Sequence, residues 1–157
     1  MDDWEDRRGP GLRFPPPVIP AGLIGSGWLL DRWNPLPITD NAQFWWPGSA
    51  VIVLALLIAL TAVLQFLRSK TSVEPWQPTS AIIHNGLFRY SRNPIYLAFC
   101  IGTLGAGMLF NSWWIVLAVV PLVLLLQGLV IRKEEAYLQA KFGDAYLDYQ
   151  RRVRRWL

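Results

Sequence analysis

Four apolar stretches, separated by polar segments of unequal length, set the plan of this chain. Ser49 to Leu67 is the clearest: only Ser49, Thr61 and Gln65 interrupt it. Its 19 residues, at ~1.5 Å of rise each, cover most of a ~30 Å hydrocarbon core. Ile95 to Phe110 and Trp113 to Ile131 are divided only by Asn111-Ser112, a spacing that predicts a tight antiparallel helical hairpin. Pro121 lies in the middle of the last stretch, where its missing N–H predicts a kink. Val18 to Leu30 is a shorter apolar segment carrying Pro20 and three glycines, read as a short spanning helix extended by its flanks. The pattern predicts an all-α polytopic membrane protein with about four transmembrane helices. It forms a single domain over residues 18–157, preceded by a disordered tail over 1–17 that is acidic, then basic, then proline-rich.

The polar segments refine this plan. Arg68 to Arg92 is a connector rich in turn residues, including Asn85-Gly86. After Arg132 the chain becomes polar and predicts a C-terminal amphipathic helix with Asp144 as its N-cap. Tyr146, Tyr149, Val153 and Trp156 fall on one stripe of that helix. Arg151, Arg152, Arg154 and Arg155 lie largely off it, an arrangement suited to resting on anionic head groups.

Composition agrees with a membrane location: 53% of residues are hydrophobic and 17% charged, and the nine Trp and five Tyr suit boundary anchors. With four spans, fourteen of the fifteen Lys and Arg fall on the side of the termini and connector, and Arg32 alone falls opposite. This asymmetry predicts cytoplasmic termini, in a bacterial inner membrane, and argues against reading the net charge of +4 as nucleic-acid binding. One Cys and one His cannot make a zinc site, and the single Cys100 excludes an internal disulfide.

Polar groups capable of chemistry gather at the two feet of the hairpin. Arg89, Tyr90, Arg92, Asn93 and Tyr96 stand before the third stretch; Arg132, Glu134 and Glu135 stand after the fourth. Asn93-Pro94 suits a helix start whose exposed N–H groups can receive a carboxylate. Glu134 and Glu135 can accept hydrogen bonds from ribose hydroxyls or an ammonium group, or can pair with Arg132 and Lys133. Together these suit a small, charged, sugar-bearing ligand held against the bilayer.

Residues 79–154 resemble the isoprenylcysteine carboxyl methyltransferase family and its phospholipid methyltransferase relatives. The resemblance rests on Arg92-Asn93-Pro94-Ile95-Tyr96, on Glu134-Glu135-Ala136-Tyr137-Leu138 and on Phe142-Gly143-Asp144-Ala145-Tyr146-Leu147-Asp148-Tyr149, in that order. It implies methyl transfer from S-adenosylmethionine to a lipophilic acceptor such as an isoprenylcysteine-like carboxylate, a thiol or a lipid. It further implies cofactor contacts at Ser80, Ala81, Ile82, Ile83, Phe88, Asn93, Pro94, Ile95, Tyr96 and Glu134. Two positions depart from the family pattern. Asn93 stands where the eukaryotic enzymes have His, and Val130 matches the family's substrate-contacting Arg. Arg132 is the nearest replacement and the expected catalytic residue. The rival reading is a non-enzymatic membrane protein, an assembly factor or small transporter, with the glycines of the third stretch serving helix packing.

Overall fold

The computed structural model describes residues 10–12, 14–40, 45–69 and 81–157. Among them all regular structure is helical. Helix α1 spans Val18–Trp33; α2, Trp45–Arg68; a 3₁₀ turn, Gly86–Arg89; and α3, Pro94–Leu109. The last apolar stretch and its polar continuation run through α4 (Trp113–Leu117), α5 (Val119–Leu125), a π-helical segment (Leu126–Ile131) and α6 (Arg132–Phe142). Helix α7 (Asp144–Arg152) follows. Two helical runs are long and apolar enough to cross a membrane: Trp45–Arg68, of 24 residues, and Trp113–Phe142, of 30. Pro94–Leu109 is apolar but shorter. At 16 residues, α1 reaches beyond the expected Val18–Leu30 yet covers only ~24 Å, short of a hydrocarbon core. Most of the expected tail over 1–17 lies outside the described residues, although Leu12 is buried.

The chain divides into two compact units. One comprises Pro16–Leu57 and Tyr96–Leu126. Here small residues allow backbones to approach closely. A Cβ on Gly105 would come within 2.9 Å of the Ile52 side chain, and one on Gly27 within 3.1 Å of the Ile115 backbone. The hairpin turn places Asn111 at φ 52°, a conformation that Asn tolerates better than most residues. Its side chain then grips the chain after α1: Oδ1 accepts from the Ile38 and Thr39 N–H groups at 3.0 Å each, and Nδ2 donates to Thr39 O at 2.8 Å. Ser112, fully buried, donates to Asp31 Oδ1 at 2.8 Å. The expected interruption near Pro121 falls at Ala118, between α4 and α5, one turn before the proline whose N–H is missing.

The other unit comprises Ile58–Ile95 and Gln127–Leu157 with the described part of Met1–Pro15. It holds both feet of the hairpin. Its first cluster packs Ala62, Ile83 and Phe88 with Phe66, Leu87 and Ile95. Its second packs Tyr146, Tyr149 and Val153 with Ile82, Leu138 and Phe142. Gly143, at φ 54°, ends α6, so Asp144 is the first residue of α7 rather than its cap. The aromatic stripe of α7 is buried against this unit's own residues, whereas the sequence pattern had it lying on the bilayer.

Candidate active site

The short turn after the connector is fixed first. Gly86 takes φ 57°, and any side chain there would overlap that of Gln65. Gln65 Oε1 in turn accepts the Leu87 N–H at 3.3 Å, and Phe88 meets Phe66 edge-on at 5.2 Å between ring centroids. The turn is thereby tied to the last turns of α2. From there the chain runs through Ser91, Arg92 and Asn93 into α3, which Pro94 opens where its missing N–H costs nothing.

The C-terminal residues close over this entrance. Arg92 N donates to Arg154 O at 3.0 Å. Asn93 Nδ2 donates to Arg155 O at 2.9 Å, and Ser91 Oγ donates to the same carbonyl at 3.4 Å. Ser91 Oγ also accepts the Asn93 N–H at 3.1 Å. Helix α7 ends at Arg152, and Val153 is extended at φ −123° and ψ 132°. Side chains then alternate, so Val153 and Arg155 turn inward and Arg154 outward.

Glu135 joins these pieces. Arg155 grips its carboxylate with two bonds, Nε to Oε1 at 3.1 Å and Nη2 to Oε2 at 2.6 Å. Arg92 Nη2 reaches Oε1 at 3.1 Å. The Glu135 and Arg92 side chains are only 12% and 11% exposed, so this pair meets largely away from water, whereas Arg155 is half-buried. The hydrogen bonds that Arg155 donates to Glu135 raise its affinity for its proton. Arg92 Nε is fully buried and, among the described residues, has no hydrogen-bond partner. The alternative of pairing with Arg132 and Lys133 gives way, at Glu135, to pairing with Arg92 and Arg155.

Behind this junction, Tyr149 donates its hydroxyl to Phe88 O at 2.7 Å, joining α7 to the turn. The Tyr146 and Tyr149 rings lie 6.1 Å apart. Burial, followed by the nearby Glu135 charge, pushes the Tyr146 hydroxyl up to about 12, and burial raises that of Tyr149 as well. A cleft of about 790 Å³ opens beside Tyr149, reaching Ile82, Asn85, Arg89 and Arg152.

The expected cofactor residues are not alike in position. Ser80 lies outside the described residues. Ala81 is half-buried, and Ile82 packs on the tyrosine cluster and lines the cleft. Ile83, Phe88 and Ile95 point into the first apolar cluster, so their side chains serve packing. Asn93 is buried with its amide donated to Arg155, and Pro94 is buried beside it. Tyr96 is buried, with Phe99 at 6.0 Å between ring centroids. Glu134 is half-buried and Arg132 exposed. The residues that the sequence reading underweighted are Glu135 and Arg155. A signal for Glu135 was present: Ile131, Glu135, Leu138 and Phe142 recur at spacings of four, three and four, the inward stripe of a helix.

Exposed leucines along α2, among them Leu54, Leu56, Leu57 and Leu60, give it the lipid-facing surface of an integral membrane protein. The profile of the family described as phospholipid methyltransferase matches residues 44–145, close to two thirds of the sequence. The chain belongs to that family. It is also 32% identical over 100 residues to the protein-S-isoprenylcysteine O-methyltransferase of Schizosaccharomyces pombe, covering 57% of this chain and 42% of that protein. A Haemophilus influenzae protein described as uncharacterized is 46% identical over 41 residues, covering 26% of this chain and 65% of the relative. The chain thus spans less than two thirds of the length of either relative.

Proposed function

We propose that this protein is an S-adenosylmethionine-dependent membrane methyltransferase acting on a lipophilic acceptor. The observation that carries the reading is the junction itself. Residues from two family-matched blocks, Arg92-Asn93 and Glu135, meet in a buried polar cluster that leaves one guanidinium N–H without an acceptor among the described residues. A buried, unpartnered donor on a cation fits the carboxylate of the cofactor's methionine portion. Ala81, Ile82, Asn93, Pro94 and Glu134 would surround the rest, and Ile83, Phe88 and Ile95 would support them from the core; the family resemblance gives Ser80 and Tyr96 to the cofactor as well.

The bound cofactor supplies an electrophilic methyl group on a sulfonium whose positive charge disappears on transfer. The protein's own task is then alignment and exclusion of water more than proton transfer. Glu135 holds the two guanidinium groups in place. Asn93, tied to the Arg155 carbonyl, acts as a hydrogen-bonding residue and not as a base. Arg132, exposed at the head of α6, would attract an anionic acceptor. A carboxylate or thiolate acceptor needs no base, whereas an amine must first lose a proton. The acceptor is accordingly of isoprenylcysteine-like carboxylate or thiol type, or a lipid carrying such a group.

In this reading α1 and α3, although short, cross the membrane with α2 and the Trp113–Phe142 run. The termini face the cytoplasm of a bacterial inner membrane. The test is incubation of the full-length protein, purified in detergent, with methyl-labelled S-adenosylmethionine and lipid extract. Label should enter the organic-extractable fraction, and Arg132→Ala should lower the rate with little change in cofactor affinity. A folded preparation that neither binds S-adenosylmethionine nor transfers label contradicts the reading.

A further inference from the structure

The bonds that close the entrance of α3 come from a segment without regular structure. Helix α7 ends at Arg152, and the residues after it are held contact by contact. Val153 packs on Tyr146 and Tyr149. Arg154 O accepts the Arg92 N–H at 3.0 Å. Arg155 O accepts Asn93 Nδ2 at 2.9 Å, and the Arg155 side chain grips Glu135.

This segment stands between two groups that one ligand has to reach together. In the methyl-transfer reading, on which the inference rests, Arg92 takes the carboxylate of the cofactor and Ile82 touches another part of the same molecule. Ile82 lines the cleft beside Tyr149, as do Arg152 and Val153. Arg92, Asn93 and Glu135 are not among its lining residues. Val153 thus borders the cleft, while Arg155, two residues on, is bonded to Asn93 and Glu135. With the segment in place the cleft stops short of Arg92, and one N–H of the Asn93 amide is taken by the chain's own carbonyl.

The closed arrangement carries its own opposition. Burying the Arg92 Nε–H without a partner among the described residues disfavours it. The Arg155 side chain is 34% exposed, so water competes with Glu135 for it and the grip releases at modest cost. We infer that the segment from Arg154 onward is a gate hinged at Val153, which lifts to admit the carboxylate of the cofactor to Arg92 and then closes over it. Opening breaks the Arg155 grip on Glu135 and the carbonyl contacts to residues 91–93, and leaves α3, α6 and α7 folded. Glu135 holds Arg92 in place meanwhile, through their own pair at 3.1 Å.

The experiment has two arms, both on full-length protein in detergent. The first, without cofactor, follows amide hydrogen exchange at single residues by mass spectrometry. The Arg92 N–H, whose acceptor is Arg154 O, should exchange at least about tenfold faster than the interior amides of α3 and α7. Arg155→Ala should speed it about tenfold more. Arg154→Ala keeps the carbonyl and loses only an outward side chain, so the rate should change less than about twofold. Arg155→Lys keeps the charge without the two-pronged grip; it should give an intermediate rate, and suffices if the alanine variant does not fold. The second arm mixes parent and Arg155→Ala with S-adenosylmethionine by stopped flow. The binding rate of the parent should level off at the opening rate as concentration rises, and the plateau should be about tenfold higher in the variant. An Arg92 N–H that exchanges only with the helix interiors, or no faster in folded Arg155 variants, overturns the gate whether or not the cofactor binds. So does binding whose rate climbs without a plateau, alike in both proteins. Gate-like exchange in a protein that takes up no S-adenosylmethionine upholds the gate and overturns the methyl-transfer reading.

Discussion

The two units of this protein are held by different forces. In the Pro16–Leu57 and Tyr96–Leu126 unit, glycines admit neighbouring side chains and backbones, and neutral polar groups such as Asn111 and Ser112 fix the ends. In the other unit, a carboxylate between two arginines and a pair of buried tyrosines fix Ile58–Ile95 against Gln127–Leu157. The first kind of cohesion depends on shape and is nearly blind to pH and salt. The second depends on charge and is costly to leave half-made. Chemistry that needs oriented charge is expected where the second kind prevails.

The largest effect should follow from breaking the charged junction. Glu135→Ala leaves the buried Arg92 guanidinium facing the half-buried Arg155 and should destabilise the protein by up to about 3–5 kcal/mol, read by denaturation in detergent. Glu135→Gln, of the same shape, should recover only part of that loss. In the shape-dependent unit, Gly48→Ala should cost about 1–3 kcal/mol, because its Cβ would lie 2.8 Å from Gly105 O and 2.7 Å from Leu109 Cα. Gly102→Ala, whose Cβ would meet only the Ala55 methyl at an ordinary 3.6 Å, should be close to neutral. Equal losses at the two glycines would refute the close-packing account.

Smaller effects sharpen the contrast. Tyr149→Phe removes the bond to Phe88 O and should cost about 1 kcal/mol, with the turn rather than α3 showing faster hydrogen exchange. The alkaline limb of the stability profile should show the least. The folded-state value of Tyr146, about 12, exceeds the ordinary tyrosine value of 10.0. Its contribution is therefore fully present below pH 10 and fades as pH rises toward 12. Tyr146→Phe should flatten that decline in melting temperature, whereas Gly48→Ala and Gly102→Ala should not.

Helix positions were legible because long apolar runs leave little alternative once they exceed the width of a core. The Asn111-Ser112 turn was legible for the same reason. The partners of Asn111 were not, since residues 38–39 are remote in sequence and only tertiary packing brings them near. The site was legible in its blocks but not in its bonds. Arg92 and the two glutamates were visible as a cluster, yet only the helical phase from Ile131 to Phe142 separates Glu135 from Glu134. A helix continuing past Arg152 would turn Arg155 outward. The chain becomes extended at Val153, so the period drops from 3.6 to 2 and the side chain turns inward.

Calorimetric titration of S-adenosylmethionine into the detergent-solubilised full-length protein and its Arg92→Lys variant tests the central claim most directly. Lysine keeps the charge but lacks the buried Nε–H. Saturable binding by the parent, weakened ~10–100-fold in a variant that still folds, is the predicted result. No saturable binding by the folded parent, or equal affinity in the variant, would contradict it.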